Sequence, residues 1–466
     1  MIIENERARF SPYRFFKKHK VSILIFLLAL SVRVTLFFVN LGAHMGDFEA
    51  TIYGSDWYFE IAKNLSRGLG FALFEGRPSP MHVPIYPLFL AASLMLFGNF
   101  IFAVVVQMLI GSFIPVLGMT LARKLISYQK IALFVGIVLA LEPNFVLLSS
   151  IFFTETLFIF LFLLFILVFI SYLEKGSIAL LVLSALLLGI SALTKTTVQF
   201  FPLFLIPLAW WALRKSVPLK KLASHGFLFV LIFLSVLSPW LYRNYRVFGA
   251  PGMTIMPSFN LYFTFVPSVL SLHNNTSFSA ESEVFINGPG VHSEILTFAT
   301  APQFNKEALS IISKYPKEVM KVVGINVLTF FTHDGMLTVL QNAGITPETA
   351  LSKPAIILLL SSPIEFLDTV STYILSPFIL VLIMRLFWIA VTISFFVGCV
   401  SLLRERKMTA PLALALIIVF YFTMTTPSNG LTVNARFRMP VVPIILTIAA
   451  YTFIRRNNKS NPQANL

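Results

Sequence analysis

Two aspartates stand shortly after the first long apolar run of the chain: Asp47 in "GDFEAT" and Asp56 in "YGSDWYFE". A carboxylate held among aromatic rings, in a region of low dielectric, can serve as a general base toward an acceptor hydroxyl or amine. Further along come Lys195, Arg243, Arg436 and Arg438, cations of the kind that hold a phosphate or pyrophosphate leaving group, Arg with two parallel hydrogen bonds. Glu155 and His82 complete the set of candidate substrate-binding residues. Together these residue types suit group transfer from a phosphate-bearing donor.

Each residue also has a plainer role. Asp56 can cap the helix that starts near Tyr58, and Asp47 can be a solvated loop acid. Glu155, after Thr154, is favoured at the positive end of a helix in any case. Lys195 can lie along the membrane interface with its ammonium in water. His82 is a lone histidine without visible metal-binding company, and "THD" (Thr332 to Asp334) is a weak metal or acid/base signal.

The elements that must position these residues are membrane helices. Of the 466 residues 57% are hydrophobic and 12% charged, which fits a polytopic membrane protein and excludes a soluble globule. The net charge of +15 comes from Lys and Arg that mostly flank apolar runs, so it reads as topology and not as a nucleic-acid surface. A single cysteine, Cys399, excludes an internal disulfide. No small-residue cleavage site follows the first apolar run, so the N-terminus is expected to remain as an anchor.

Apolar runs of adequate length, oriented by their basic flanks, give about ten transmembrane helices with both termini cytoplasmic. They are 21–40, 99–121, 131–148, 152–175, 179–193, 198–215, 226–241, 378–403, 411–425 and 439–453. The run 86–98 is too short to cross and is read as an interfacial helix. The expected organisation is an N-terminal transmembrane module over 1–241 with a first extracytoplasmic loop at 41–98. A long extracytoplasmic loop over 242–376 and C-terminal helices with a short cytoplasmic tail over 377–466 complete it. In this arrangement the candidate residues gather at the extracytoplasmic side of a plasma or inner membrane, along with Glu142 and Asn244.

Five stretches, in order, now carry a resemblance: "YFEIAKNLSRGLGF" with "GRPSP" and "PIYPLFLAASLMLFG", then "LEPNFVLLSSIFFTETLF", "LLGISALTKTTVQFFPLFL", "LSPWLYRNYRVFGAP" and "RFRMPVVPIILTIAAY". The chain resembles the integral membrane glycosyltransferases of the GT-C superfamily. The nearest group is family 39, with the protein O-mannosyltransferases and the aminoarabinose transferases of lipid A. The resemblance implies an all-α GT-C-like fold, a sugar donor carried on a polyprenyl phosphate, transfer with inversion, and a catalytic carboxylate in the first outer loop. The family's acid stands four residues before the Tyr of its motif, which here is Gly54, while Asp56 stands two before Tyr58. Either the loop is rearranged so that Asp56 reaches the donor or the role falls to Asp47; Asp56 is placed ahead.

The acceptor, whether lipid, glycan or protein, is not specified. No cofactor motif is present; a divalent cation is compatible with the chemistry, although no ligand cluster is visible. Two other readings stay open. A lipid or sugar transporter would place polar residues at the bilayer midplane, and a non-catalytic subunit of an envelope polysaccharide system would need no base.

Overall fold

The computed structural model describes residues 12–54, 56–74, 76–287, 296–346, 358–359 and 362–460. It is helical almost throughout, as expected for an all-α membrane protein; among the described residues strand occurs only as a two-stranded antiparallel hairpin. Six helices are long and apolar enough to cross a membrane. They are α1 (Pro12–Ala43), α5 (Ile101–Leu125), α8 (Glu155–Lys175), α11 (Leu219–Phe248), α19 (Ile379–Arg404) and α20 (Ala410–Thr425). The other four runs expected to cross are shorter apolar helices: α6 (Gln129–Leu141), α9 (Ile178–Thr194), α10 (Pro202–Leu213) and the Met439–Phe453 stretch that begins α21 (Val442–Ser460). The 86–98 run is α4 (Ile85–Phe97), also short.

Within 242–376, expected to be an outer loop, α16 (Pro316–Thr332) and α17 (Met336–Asn342) together are apolar enough for a broken seventh span or a re-entrant loop, bent by 67°. Lys317, Glu318 and Lys321 occupy the first turns of α16, and this charge hides the apolar run from Val322 to Phe331 in the sequence. The bend falls at Gly335, whose φ of +70° suits a residue without Cβ.

α8 is the spine that places Glu155. Its rings Phe158, Phe162, Phe165 and Phe169 recur every three or four residues and meet at centroid spacings of 5.5, 5.6 and 5.7 Å. Phe201 and Phe422 meet this row from neighbouring segments. Helix packing within lipid gains little from hydrophobic burial, so such close side-chain contact is the term that fixes the bundle. α9 and α5 flank α8, and α21 packs on α5, α6 and α19, so both ends of the chain close on the same centre.

Two short helices shape the loop after α1, α2 (Phe48–Ile52) and α3 (Tyr58–Ser66), followed by the hairpin β1 (Ala72–Phe74) and β2 (Arg77–Pro78). Asn64 of α3 donates to the carbonyls of Ala72 and Leu73 at 2.9 and 3.2 Å, which docks the hairpin on the helix.

Candidate active site

The loop after α1 meets the start of α8 through backbone. The Phe152 amide donates to the carbonyl of Ile52 at 2.9 Å, and Gly54 presses so closely on Phe152 that a Cβ there would run into its carbonyl. The position where the family carries its acid therefore has no room for a side chain. The chain then turns at Trp57, which adopts a left-handed φ of 56° as the residue before α3 and makes no side-chain cap. Such a conformation costs a non-glycine residue roughly 1–3 kcal/mol and persists only where surrounding contacts enforce it. Asp56 is thus not the helix cap. Its carboxylate accepts from Arg436 Nη1 at 3.1 Å, a contact across 380 residues of chain.

Arg436 stands in a short helical turn that precedes α21, aimed by Asn434, whose side chain accepts from the Arg436 amide at 3.1 Å. Its guanidinium lies 5.2 Å from the ring centroid of Phe153. Burial disfavours its charge, yet Asp56 and Glu155 more than offset this and hold the guanidinium above its ordinary range. A second pair adjoins the first: Lys195 Nζ lies 2.7 Å from Glu155 Oε1, with the carboxylate buried and the ammonium partly open. Lys195 is extended backbone just after α9, and Tyr421 donates to the carbonyl of Thr197, two residues on, at 2.6 Å.

Tyr58 occupies the middle. Its ring meets those of His82 and Tyr86 edge-on at 4.8 and 5.1 Å, and its hydroxyl bonds with Thr154. Burial, then the charges of Asp56 and Glu155, push its phenol up, so it stays protonated. Tyr86 donates to Gln107 at 2.8 Å, and Gln107 in turn donates to the Ile151 carbonyl at 2.8 Å, bracing the turn that leads into Glu155. His82 is buried and hydrogen-bonded with the Asp56 backbone; burial lowers its pKa to about 4, so the ring is neutral at pH 7. Sequence reasoning missed Tyr58, Phe153 and Thr154. Tyr58 stands two residues after Asp56, and that adjacency was the available signal.

The remaining candidates lie elsewhere. Asp47 is exposed and caps α2, accepting from the Ala50 amide at 3.0 Å. Arg243, expected to bind phosphate, donates to the carbonyls of Ser79 and Phe71 at 3.3 and 3.2 Å and sits over the Trp240 ring, so it clamps the hairpin onto α11. Arg438 is buried and donates to the carbonyls of Phe330, Phe331 and His333 at 2.9, 2.6 and 2.8 Å, stacked 3.6 Å from the Trp388 ring centroid. It satisfies the open end of α16 in place of the phosphate contact expected of it. Burial lowers its pKa to about 9 despite the opposing charges of Glu142 and Asp334.

Around Arg438 lies a second buried polar group. Glu142 accepts from Asn144 and the Phe145 amide, Asn144 also donates to the Asp334 carbonyl, and Asp334 pairs with Arg385 at 2.6 Å. His333 accepts from the Gly335 amide. His333, Asp334 and Glu142 are therefore engaged in holding α7 (Pro143–Leu147), α16 and α19 together. Among the described residues no three His, Cys, Asp or Glu side chains converge as a metal-binding group.

The fold and site define a helical membrane protein with two adjoining carboxylate–cation pairs, Asp56–Arg436 and Glu155–Lys195. Residues 80–242, from the His82 loop to α11, match the family model described as dolichyl-phosphate-mannose-protein mannosyltransferase. The resemblance drawn from the sequence is borne out over that segment, which carries His82, Glu155 and Lys195. Among solved structures the chain is similar to an Archaeoglobus fulgidus oligosaccharyltransferase crystallised with zinc and sulfate, at 10% identity and a TM-score of 0.44, over 92% of this chain. It spans 50% of that protein's length. It is also similar to ArnT from Cupriavidus metallidurans bound to undecaprenyl phosphate, at 12% identity and a TM-score of 0.36, over 93% of this chain and 79% of that one. Comparison with curated proteins finds none that matches.

Proposed function

We propose that the protein moves a sugar from a polyprenyl-phosphate carrier to an acceptor at the extracytoplasmic face of the membrane, with inversion at the anomeric carbon. The observation that carries this reading is the Asp56–Arg436 pair set against the Glu155–Lys195 pair, a potential base beside two cations that a phosphate can engage. Asp56 takes the proton of the acceptor group as its oxygen or nitrogen bonds to the anomeric carbon. The bond from that carbon to the phosphate oxygen breaks, and its electrons leave with the polyprenyl phosphate. Arg436 and Lys195 hold the charge that develops there, the kind of electrostatic help that supplies much of an enzyme's rate.

In the unliganded site Arg436 neutralises Asp56. A donor phosphate, competing for the guanidinium, frees the carboxylate to act as base only when the donor is bound. Glu155 keeps both cations aimed, and Tyr58 remains a neutral hydrogen-bond donor between the two acids. The basic flanks of the apolar helices support an extracytoplasmic site and cytoplasmic termini. The test is release of labelled sugar from a competent polyprenyl-phosphate-sugar pool by the purified protein. Transfer to an added acceptor supports the reading; an intact donor pool favours a transporter or a non-catalytic subunit.

A further inference from the structure

At the end of α8 opposite the Asp56 cluster, about 25 Å along the helix by its rise per residue, Tyr172 and His225 form a buried pair at 3.0 Å. They line a cavity of about 560 Å³ between α8, α9, α10 and α11 whose other walls are apolar, among them Leu205, Trp210, Leu222 and Phe229. His225 is 3% exposed and its Nε2 has no partner among the described residues. In the tautomer where the Tyr172 hydroxyl donates to Nδ1, Nε2 carries the ring hydrogen and lacks an acceptor. A buried donor left open is costly, so an oxygen from a bound molecule is favoured there.

The surroundings define that molecule. Arg214 and Lys215 follow α10, and Lys220 and Lys221 stand in the first turn of α11. All four are exposed, and among the described residues none forms an ion pair. Lys221 is near enough to act electrostatically on His225, and the Arg214 guanidinium lies 5.0 Å from the Trp210 ring centroid. An apolar slot between membrane helices, a cationic rim and one buried donor match a lipid with an anionic phosphate headgroup. We infer that this cavity binds an anionic glycerophospholipid, its acyl chain against Trp210 and Phe229, its phosphate at the Lys220–Lys221 rim and an ester oxygen toward His225.

Trp210 supplies the readout. The full chain is reconstituted in phosphatidylcholine nanodiscs containing a small share of brominated-chain phosphatidylglycerol or, separately, brominated-chain phosphatidylcholine, and the Trp210 signal is isolated by difference from Trp210→Phe. Brominated phosphatidylglycerol should quench that signal about fivefold more steeply, the enrichment that one well-placed cation gives. Lys220→Gln with Lys221→Gln should abolish the preference, and His225→Phe should weaken it. Equal quenching of the wild-type Trp210 signal by the two lipids would overturn the site. So would a response of that signal to inorganic phosphate equal to its response to the lipid.

Discussion

Asp56 and Arg436, separated by 380 residues of chain, meet at 3.1 Å and join the loop after α1 to the turn before the last helix. The carboxylate is 34% exposed and the guanidinium 29%, open enough for a donor and acceptor to reach both. On the proposed mechanism Asp56→Asn keeps the shape and removes the base. Transfer by the variant should fall by at least about 100-fold, the usual worth of a positioned base, while its thermal unfolding stays close to wild type.

Arg436→Lys retains charge but not the forked donor geometry. Its turnover should drop by about 10²-fold or more, as when one preorganised donor to a developing anion is lost. Comparing turnover with donor affinity separates this from a binding defect: the larger loss should be in turnover.

Glu155 and Lys195 test the supporting pair. Removing one member of a buried pair leaves the other charge uncompensated and costs about 3–5 kcal/mol in general, a figure to be reduced here because Lys195 is a quarter exposed. Glu155→Gln should lower the unfolding temperature clearly, and the double variant Glu155→Gln with Lys195→Met should recover much of it.

His82 gives a pH dependence with a definite sign. Its folded-state pKa is about 4, below the unfolded value near 6.5, so the folded state binds its proton less readily. Stability from this residue is complete above about pH 6.5 and is lost as pH falls toward 4. In His82→Gln the decline of unfolding temperature across that window should be shallower.

Gly54→Asp would put an acid at the family's position. Because a Cβ there meets the Phe152 carbonyl, this variant should unfold earlier and should not rescue Asp56→Asn. Measured transfer and stability of the double variant check both points.

The class of fold and the helix cores were legible because apolar length and basic flanks are local signals. Asp56, Glu155, Lys195, Arg436 and His82 were legible as costly polar residues at helix ends. Their partners were not, since no local pattern couples Asp56 to a residue 380 positions away. Arg243 and Arg438 show the limit from the other side: an arginine facing backbone carbonyls looks, in sequence, like one facing a phosphate. The α16–α17 pair was hidden by the charges of its first turns, and Gly54 by the fact that close backbone approach leaves no trace in neighbouring residue types.

The most direct measurement is single-turnover sugar transfer from a bound polyprenyl-phosphate donor by wild type and Asp56→Asn, with donor binding followed in the same samples. The proposal requires both proteins to bind donor and only wild type to pass the sugar on at an appreciable rate. Wild-type transfer rates in the Asp56→Asn protein would contradict it and remove Asp56 from the chemistry.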